Sequence, residues 1–400
     1  MLRACYFLFL SHIMAVTPIG KDGKGMKRAL IWILAFVLLT SPVLAAPDAQ
    51  SDSMQLSADA AVLMEQQTGQ ILYEKNAHEH LAPASVTKVM TILLIAEMID
   101  SGAMQLTDPV TASATAAAMG GSQVYLEAGE SMTVDEMLKC IVVASANDCA
   151  VAMAEHISGT ETAFADRMNQ RAAELGLQDT HFVNCTGLTD DDAHYTSAYD
   201  IAVMSREVMR HAWLRDYTTI WMDNIRGGEF GLSNTNKLVR NYQGATGLKT
   251  GFTNKAMYCL SATAQRDNDA FIAVVLHAPS SSERFEDAQA LLNYAFANFT
   301  VYSPAANTVL PPVRIQLGTC QSIQPVFPDG SEIVTAKGSE LSCRCELPES
   351  LPAPVKAGDE IGTVSILNGE QVVQQISVTA PEDVPRISVT ELWKTILGAL

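Results

Sequence analysis

Three short motifs, set far apart in the chain, constrain its fold more than any other feature. Each pattern (SxxK, SxN and KTG) occurs once in the 400 residues. One such motif alone is weak evidence, but all three in this order require a fold that brings them to one place. They are Ser85-Val86-Thr87-Lys88, Ser145-Ala146-Asn147 and Lys249-Thr250-Gly251.

The first motif suits nucleophilic catalysis. Ser85 stands at the start of a predicted helix, where residues three apart share a face, so Lys88 lies beside its hydroxyl. A serine hydroxyl is a weak nucleophile until a base takes its proton, and lysine is a base only when neutral. Burial and a nearby cation, here Lys249, both lower a lysine pKa. The alternative interpretation is a helix start with an exposed lysine.

The second motif falls between two predicted helices, where a loop can direct side chains into a cleft. Ser145 is predicted to relay a proton to a leaving amine, and Asn147 to hold a substrate amide through its donor and its acceptor. The alternative is that Asn147 and Asp148 cap the second helix. Both roles are compatible.

The third motif lies on a predicted edge strand of a sheet. Lys249 and Thr250 together suit a carboxylate, and Gly251 leaves room for a substrate backbone along the strand. The backbone amides of Ser85 and Phe252 are the predicted oxyanion hole. The alternative is a plain turn between strands.

The set resembles the serine-type D-alanyl-D-alanine carboxypeptidases, the low-molecular-weight penicillin-binding proteins. The likeness extends over roughly residues 50–300 and includes the stretches Phe164–Gly187 (with FVNCTG at its end), His194–Asp200 (HYTSAYD) and TGLKTGFTNKAMYCLSATA around the third motif. One departure is Cys185, where the family more often has proline; we interpret it as a packing residue.

The resemblance implies a function for each motif. Ser85 is the acylated nucleophile, Lys88 the base and Ser145 the proton relay, while Asn147 and Lys249 contact the substrate. The family removes the terminal D-alanine from peptidoglycan stem pentapeptides and is acylated by β-lactams. No cofactor or metal is expected.

The fold class predicted is α+β, because strands at both ends of the segment enclose a helical middle. The resemblance implies a β-lactamase/transpeptidase-like domain, with an antiparallel sheet and a helical subdomain, followed by a small β-rich domain. The pattern predicts a hairpin within 60–75, a helix after 84, helices over 148–157, 161–175, 197–211 and 282–299, and strands over 247–250, 256–264 and 270–277.

Four segments organise the chain. Residues 1–45 read as a signal peptide, with Lys27 and Arg28 before an apolar run and a small-residue site ending at Ala45; 1–25 are a possible misassigned extension. A catalytic domain over 50–300 and a β-rich domain over 304–385 follow. Residues 388–400 form an amphipathic tail that suits weak peripheral contact with a membrane. The alternative for the signal peptide is an uncleaved leader that anchors the protein in the membrane. The alternative for the tail is packing on its own protein.

The balance of charged residues excludes one class of partner. The formal net charge is −18, from 26 Lys and Arg against 44 Asp and Glu. A protein that binds nucleic acid needs clustered basic residues, so no nucleic acid is expected as a partner. The leader and the resemblance predict an exported protein, at the outer face of the cytoplasmic membrane or in the cell wall.

The cysteines and histidines give no strong signal for a metal. Seven cysteines follow the leader, an odd number without a CxxC pair, and we expect buried free thiols. His78-Glu79-His80 lacks any accompanying metal-binding motif and is predicted to be a surface strand. Asp190-Asp191-Asp192 is predicted to be a solvated loop, or else to place a carboxylate near the cleft. His194 and His277 are predicted to be structural.

Three other functions remain open. A class A-like β-lactamase shares the fold but needs a carboxylate that activates water, and no such motif is visible. DD-endopeptidase action on peptide crosslinks would use the same residues. A wall-binding protein with an inactive site is disfavoured, because Ser85 and Lys88 are both retained.

Overall fold

The computed structural model describes residues 54–390 and residue 393. The predicted signal peptide, 1–45, lies outside the described residues, as does most of the predicted tail, 388–400. Of that tail, Val389 and Trp393 are exposed, at 71% and 60%. Among the described helices, none is both long and apolar enough to cross a bilayer.

Strands occupy both ends of the described region. In chain order they are β1 (Ala60–Glu65), β2 (Ile71–Lys75), β3 (Pro109–Thr111), β4 (Ser131–Thr133), β5 (Met222–Ile225), β6 (Phe230–Ser233), β7 (Ala245–Thr253), β8 (Met257–Arg266), β9 (Asp269–Ala278), β10 (Phe299–Tyr302), β11 (Val313–Gln316), β12 (Ser322–Ile323), β13 (Ile333–Ala336), β14 (Leu341–Glu346), β15 (Ser350–Pro352), β16 (Glu360–Asn368) and β17 (Gln371–Thr379).

The helices lie mostly between β2 and β7. They are α1 (Lys88–Asp100), α2 (Ala114–Ala117), α3 (Val134–Lys139), α4 (Asn147–Ser158), α5 (Glu161–Glu174), α6 (Ala198–Arg210), α7 (Arg215–Thr218), α8 (Leu238–Asn241), α9 (Ser281–Asn298) and α10 (Pro304–Asn307). Shorter turns are 3₁₀ at Ala84–Thr87, Ala212–Leu214 and Arg226–Gly228, and π-helical at Cys140–Ala144.

A five-stranded sheet, in the order β2-β1-β9-β8-β7, forms the centre of the N-terminal part. Every neighbouring pair is antiparallel, and the hairpin predicted within 60–75 is the β1–β2 pair. Strand β7 is at the edge and places Lys249 opposite Ser261 of β8. The edge position predicted for the third motif is therefore confirmed.

Helices cover both faces of this sheet, which explains why β1 is buried along its whole length. Successive side chains of a strand point to opposite faces. Val62 and Met64 accordingly join a large core with the helices between β2 and β7. Ala61 and Leu63 join a second core with α9. The α+β fold class, with an antiparallel sheet and a helical subdomain, is confirmed.

Several helices begin with a side-chain cap. Thr133 and Glu136 form the complete capping box of α3, with Thr133 Oγ1 accepting from the Glu136 N–H. Thr160, Ser197 and Ser280 accept in the same way at the starts of α5, α6 and α9. Each cap satisfies one backbone donor that the helix itself leaves unpaired.

The C-terminal part is β-rich, as predicted. It contains three small sheets, with strand orders β10-β13, β12-β11-β15 and β14-β16-β17. Their inward side chains form small apolar cores, which include Val313 and Ile315, Val364 and Val378, and Ile366 and Ile376. This part meets the central sheet where Asp269 Oδ1 accepts a hydrogen bond from the Val301 N–H at 2.9 Å.

Candidate active site

The first motif forms a tight turn at the entrance to α1. Ser85 lies in the 3₁₀ turn Ala84–Thr87, and Lys88 is the first residue of α1. Residues three apart nearly eclipse each other in a 3₁₀ helix. The Lys88 Nζ is consequently 3.0 Å from the Ser85 Oγ. The sequence predicted an α-helix start at Ser85; the structure has a 3₁₀ turn there, which keeps the predicted contact.

Two further acceptors hold the Lys88 amine. Its Nζ lies 2.6 Å from Asn147 Oδ1 and 3.0 Å from the backbone oxygen of Thr186. The Lys88 side chain is fully buried, and burial lowers its pKa to about 7 against the opposing attraction of Asp148. A buried ammonium is costly because it loses its hydration. The first two motifs thus meet around one lysine.

The second motif is a loop held by backbone contacts. A π turn, Cys140–Ala144, ends at Ser145, which has a left-handed conformation with φ 63°. The Ala146 N–H then donates to the Cys140 oxygen at 3.1 Å, and α4 begins at Asn147. Serine rarely adopts this conformation. It directs the Ser145 hydroxyl toward Lys249, whose Nζ is 2.8 Å away.

The segment before the second motif anchors it from the other side. Asp148 is buried and accepts from the N–H groups of Val124 and Leu126. Asn147 donates through Nδ2 to the Gly120 oxygen at 2.8 Å and through its backbone to Ser122. Both ends of the Asn147 amide are therefore oriented before any substrate binds.

The third motif presents a second buried amine to the same space. Lys249 Nζ donates to Ser145 Oγ and, at 3.0 Å, to the Thr250 oxygen. Burial lowers the pKa of Lys249 well below its usual value, and repulsion from Lys88 and Arg284 adds to the shift. We expected burial and Lys249 together to lower the pKa of Lys88. Burial does so, but the repulsion between the two amines lowers the pKa of Lys249 instead.

Two glycines allow the backbone to pack against the Ser85 turn. A Cβ at Gly251 would stand 2.6 Å from the Pro83 oxygen and 3.0 Å from the Ser85 nitrogen. A Cβ at Gly187 would stand 1.9 Å from the Ala84 oxygen. Strand β7 therefore runs directly beside the Ser85 amide, and the next residue, Phe252, exposes half of its side chain.

Three groups near the site were not predicted from the sequence. Arg284 of α9 is buried and donates from a guanidinium nitrogen to the Gly251 oxygen at 3.0 Å. Thr250 donates to the hydroxyl of Thr235 at 2.7 Å. Glu161 Oε1 accepts a hydrogen bond from the Cys185 thiol. Cys185 precedes Thr186, whose backbone oxygen accepts from Lys88. The stretch around Cys185 was a sequence signal; Arg284 and Thr235 stand in no recognisable motif.

The two histidines predicted to be structural, His194 and His277, both have polar partners. His194 is buried, and its Nδ1 accepts from the Val183 N–H while its Nε2 lies 2.8 Å from Thr87 Oγ1. Burial lowers its pKa to about 4. His277 Nδ1 lies 3.6 Å from a carboxylate oxygen of Asp59.

The other polar clusters were only partly predicted. His78 lies in an exposed turn and His80 in the irregular segment after it, not in the predicted strand. Because neither is paired in a sheet, both rings can reach Asp179. Asp190–Asp192 form an exposed loop, where Asp192 accepts from Lys255 at 2.5 Å. In the described residues no group of three or more His, Cys, Asp or Glu side chains could hold a metal ion.

The seven described cysteines are free thiols. Four of them are buried, in agreement with the prediction: Cys140, Cys149, Cys185 and Cys259. The three in the β-rich part, at 320, 343 and 345, are only partly buried, because the apolar cores of this part are small. The prediction of buried thiols is wrong for these three.

Comparison with known proteins identifies the family. Residues 46–280 match the family described as D-alanyl-D-alanine carboxypeptidase. The chain belongs to this family. Residues 299–386 match a second family, described as the C-terminal domain of penicillin-binding protein 5.

Similar proteins cover nearly the whole chain. The D-alanyl-D-alanine carboxypeptidase DacF of Bacillus subtilis (strain 168) is 39% identical, over 93% of this chain and 98% of its own length. DacC of Escherichia coli (strain K12) is 29% identical, over 88% of this chain and 90% of its own length.

Solved structures agree with this assignment. Penicillin-binding protein 5 from Haemophilus influenzae superposes with a TM-score of 0.73 at 29% identity, covering 83% of this chain and 99% of that one. Penicillin-binding protein D2 from Listeria monocytogenes, in an ampicillin-bound form, superposes with a TM-score of 0.56 at 29% identity. That match covers 61% of this chain and 99% of the other.

Proposed function

We propose that this D-alanyl-D-alanine carboxypeptidase removes the terminal D-alanine of peptidoglycan stem pentapeptides through an acyl-enzyme on Ser85. One observation carries the proposal. The amine of Lys88 is fully buried, lies 3.0 Å from the Ser85 hydroxyl, and has a pKa lowered to about 7. A serine beside a neutral amine is an activated nucleophile.

The hydrogen bonds of Lys88 suit its proposed role as base. A neutral amine has two N–H donors and one lone pair. The oxygens of Asn147 and Thr186 accept two donors, so that the lone pair remains for the hydroxyl proton of Ser85. In this protonation state, the Ser85 hydroxyl donates and the Lys88 Nζ accepts, as general-base catalysis requires.

Lys249 and Thr250 are the proposed contacts for the free carboxylate of the substrate. Lys249 is buried with its pKa lowered, and a bound carboxylate raises that pKa again by attraction. Binding at this place is therefore selective for an anionic chain end. Asn147 is proposed to hold the amide that precedes the scissile bond, and Gly251 to let the peptide lie along β7.

Acylation then proceeds in two proton transfers. Ser85 Oγ attacks the carbonyl carbon of the penultimate D-alanine while its proton moves to Lys88 Nζ. The amides of Ser85 and Phe252 are proposed to stabilise the oxyanion. As the C–N bond breaks, the proton passes from Lys88 through the Ser145 hydroxyl to the leaving amine of D-alanine. Water next attacks the ester, Lys88 takes its proton, and Ser85 recovers its hydroxyl proton.

Mass spectrometry of muropeptides tests this function. The protein is incubated with sacculi rich in pentapeptides, beside the Ser85→Ala variant and an untreated sample. We expect pentapeptides to lose one alanine with the wild type only. Cleavage of crosslinked dimers would instead indicate DD-endopeptidase activity, and unchanged muropeptides would overturn the proposal.

Two features of location belong to the same proposal. We infer that the leader over 1–45 exports the chain, so that it meets peptidoglycan outside the cytoplasm. We further infer weak peripheral contact with the membrane through 388–400, supported by the exposed apolar side chains of Val389 and Trp393. A single weak anchor, such as one acyl chain, gives only marginal, reversible binding to a bilayer, and a short apolar tail is expected to behave similarly.

A further inference from the structure

The loop 184–187 supplies one of the two acceptors that orient the Lys88 amine. Its Thr186 oxygen accepts from Lys88 at 3.0 Å. If this oxygen moves, one N–H of the neutral amine loses its fixed direction and the lone pair no longer points reliably at Ser85. The position of the loop is therefore a determinant of the base.

Contacts within the loop make it a rigid unit. Asn184 Oδ1 accepts from the N–H groups of Thr186 and Gly187, at 3.1 and 2.7 Å. Gly187 packs directly against the Ala84 oxygen, and Thr91 of α1 donates to the Cys185 oxygen at 2.7 Å. These bonds fix the shape of the loop and its contact with α1.

A single carboxylate ties this unit to a different helix. Glu161, the first residue of α5, accepts through Oε1 from the Cys185 N–H at 3.3 Å and from the Cys185 thiol at 3.2 Å. The thiol is buried, and burial together with Glu161 raises its pKa well above its usual value, so that it remains a protonated donor. Proline at this position would have neither donor.

We propose that Glu161 and Cys185 are positioning residues for the general base. Glu161 holds both donors of Cys185, Cys185 holds the loop, and the Thr186 oxygen orients Lys88 toward Ser85. Both residues are proposed to act through the loop and not by direct contact with substrate. The inference rests on the proposed function, because it assumes that Lys88 activates Ser85.

Acylation kinetics with a fluorescent penicillin separate this role from a structural one. The binding constant of the noncovalent complex and the rate constant of acylation are measured on protein quantified by active-site titration. We expect Glu161→Ala and Cys185→Pro to lower the acylation rate constant by about tenfold, a fraction of what a general base supplies. Their binding constants should stay within about twofold of wild type.

Conservative variants and a matched control complete the test. Glu161→Gln keeps the acceptor and Cys185→Ser keeps both donors, so both should retain the wild-type rate constant within about twofold. Glu174→Ala, which removes a partly exposed carboxylate from the last residue of the same helix, should change nothing.

Two results would overturn the inference. One is an unchanged acylation rate constant in Glu161→Ala, and the other is a fall in Cys185→Ser as large as that in Glu161→Ala. Failure of the proposed function would look different, because the wild-type protein itself would then not be acylated at Ser85.

Discussion

Lys88 owes its proposed role to the neutral character of its partners. Its amine contacts a hydroxyl, an amide oxygen and a backbone oxygen. Asp148 acts on it from beyond these contacts, and burial outweighs this attraction. The energetic reason is that desolvation penalises the charged form of a fully buried amine. Two predictions concern this residue.

Replacement of Lys88 by arginine should abolish acylation. Arginine keeps a positive charge at every accessible pH and cannot accept the Ser85 proton. A loss of at least about 10²-fold is expected, the lower end for removal of a general base. The measurement is the rate of adduct formation with a fluorescent penicillin, with Lys255→Arg as the control; full acylation of Lys88→Arg would exclude the lysine as base.

The pH dependence of acylation should follow Lys88. Its pKa lies at about 7, and the active form is the neutral amine. The acylation rate should therefore rise as the pH increases from 6 to 8 and become nearly constant above that range. A rate that falls over this interval, measured by stopped-flow fluorescence with a penicillin, would contradict a neutral amine as base.

Lys249 should bind the free carboxylate of the substrate. Loss of a hydrogen bond to a charged group costs about 1.5–3 kcal/mol, which corresponds to about 10- to 150-fold in kcat/KM for Lys249→Gln. The matched control is a peptide with an amidated C-terminus, for which wild type and variant should differ little. Equal losses on both peptides would show that Lys249 acts in another way.

At the scale of elements, the close contact of β7 with the Ser85 turn is essential. Gly251→Ala would place a Cβ 2.6 Å from the Pro83 oxygen. Strand β7 can relieve this steric clash only by moving away from Ser85. We expect about 10²-fold lower acylation, a loss that a misplacement of about 1 Å can cause, with destabilisation of about 1–3 kcal/mol.

The control for this prediction is another strand glycine. A Cβ at Gly231 in β6 would meet only Asn224 Oδ1, at an ordinary 3.6 Å. Gly231→Ala should therefore acylate like the wild type. The measurement is the acylation rate together with the melting temperature of each variant. Wild-type acylation by Gly251→Ala would refute the close contact.

The sequence predicts elements better than it predicts their local geometry. Helix periodicity and capping residues located most helices, and alternation located β1, β8 and β9. The left-handed Ser145 escaped, because packing of the π turn, and not residue preference, imposes it. His78 was assigned to a strand but lies in a turn, since short polar runs carry little periodic signal.

The site residues that belong to motifs could be predicted from the sequence. Those that only tertiary packing brings to the site could not. The motif residues form two hydrogen-bonded groups: Lys88 bonds Ser85 and Asn147, and Lys249 bonds Ser145. Arg284 joins them only because α9 packs across β8, a contact that no local pattern encodes.

At the scale of the whole molecule, location and catalysis should separate. The catalytic motifs lie between 85 and 251, far in sequence from the tail 388–400. We expect deletion of 388–400 to release the protein from membranes while hydrolysis of a soluble pentapeptide remains within about twofold. Cell fractionation checks this; equal membrane retention would indicate an uncleaved leader, and lost activity would indicate a tail that packs on its own protein.

Ser85 is proposed to be the one residue that a penicillin acylates. Intact-mass spectrometry after incubation with penicillin tests it most directly, with wild type, Ser85→Ala and Ser145→Ala compared. We predict a single adduct on the wild type, none on Ser85→Ala, and a slower single adduct on Ser145→Ala, which retains the nucleophile. An adduct of the same mass on Ser85→Ala would contradict it.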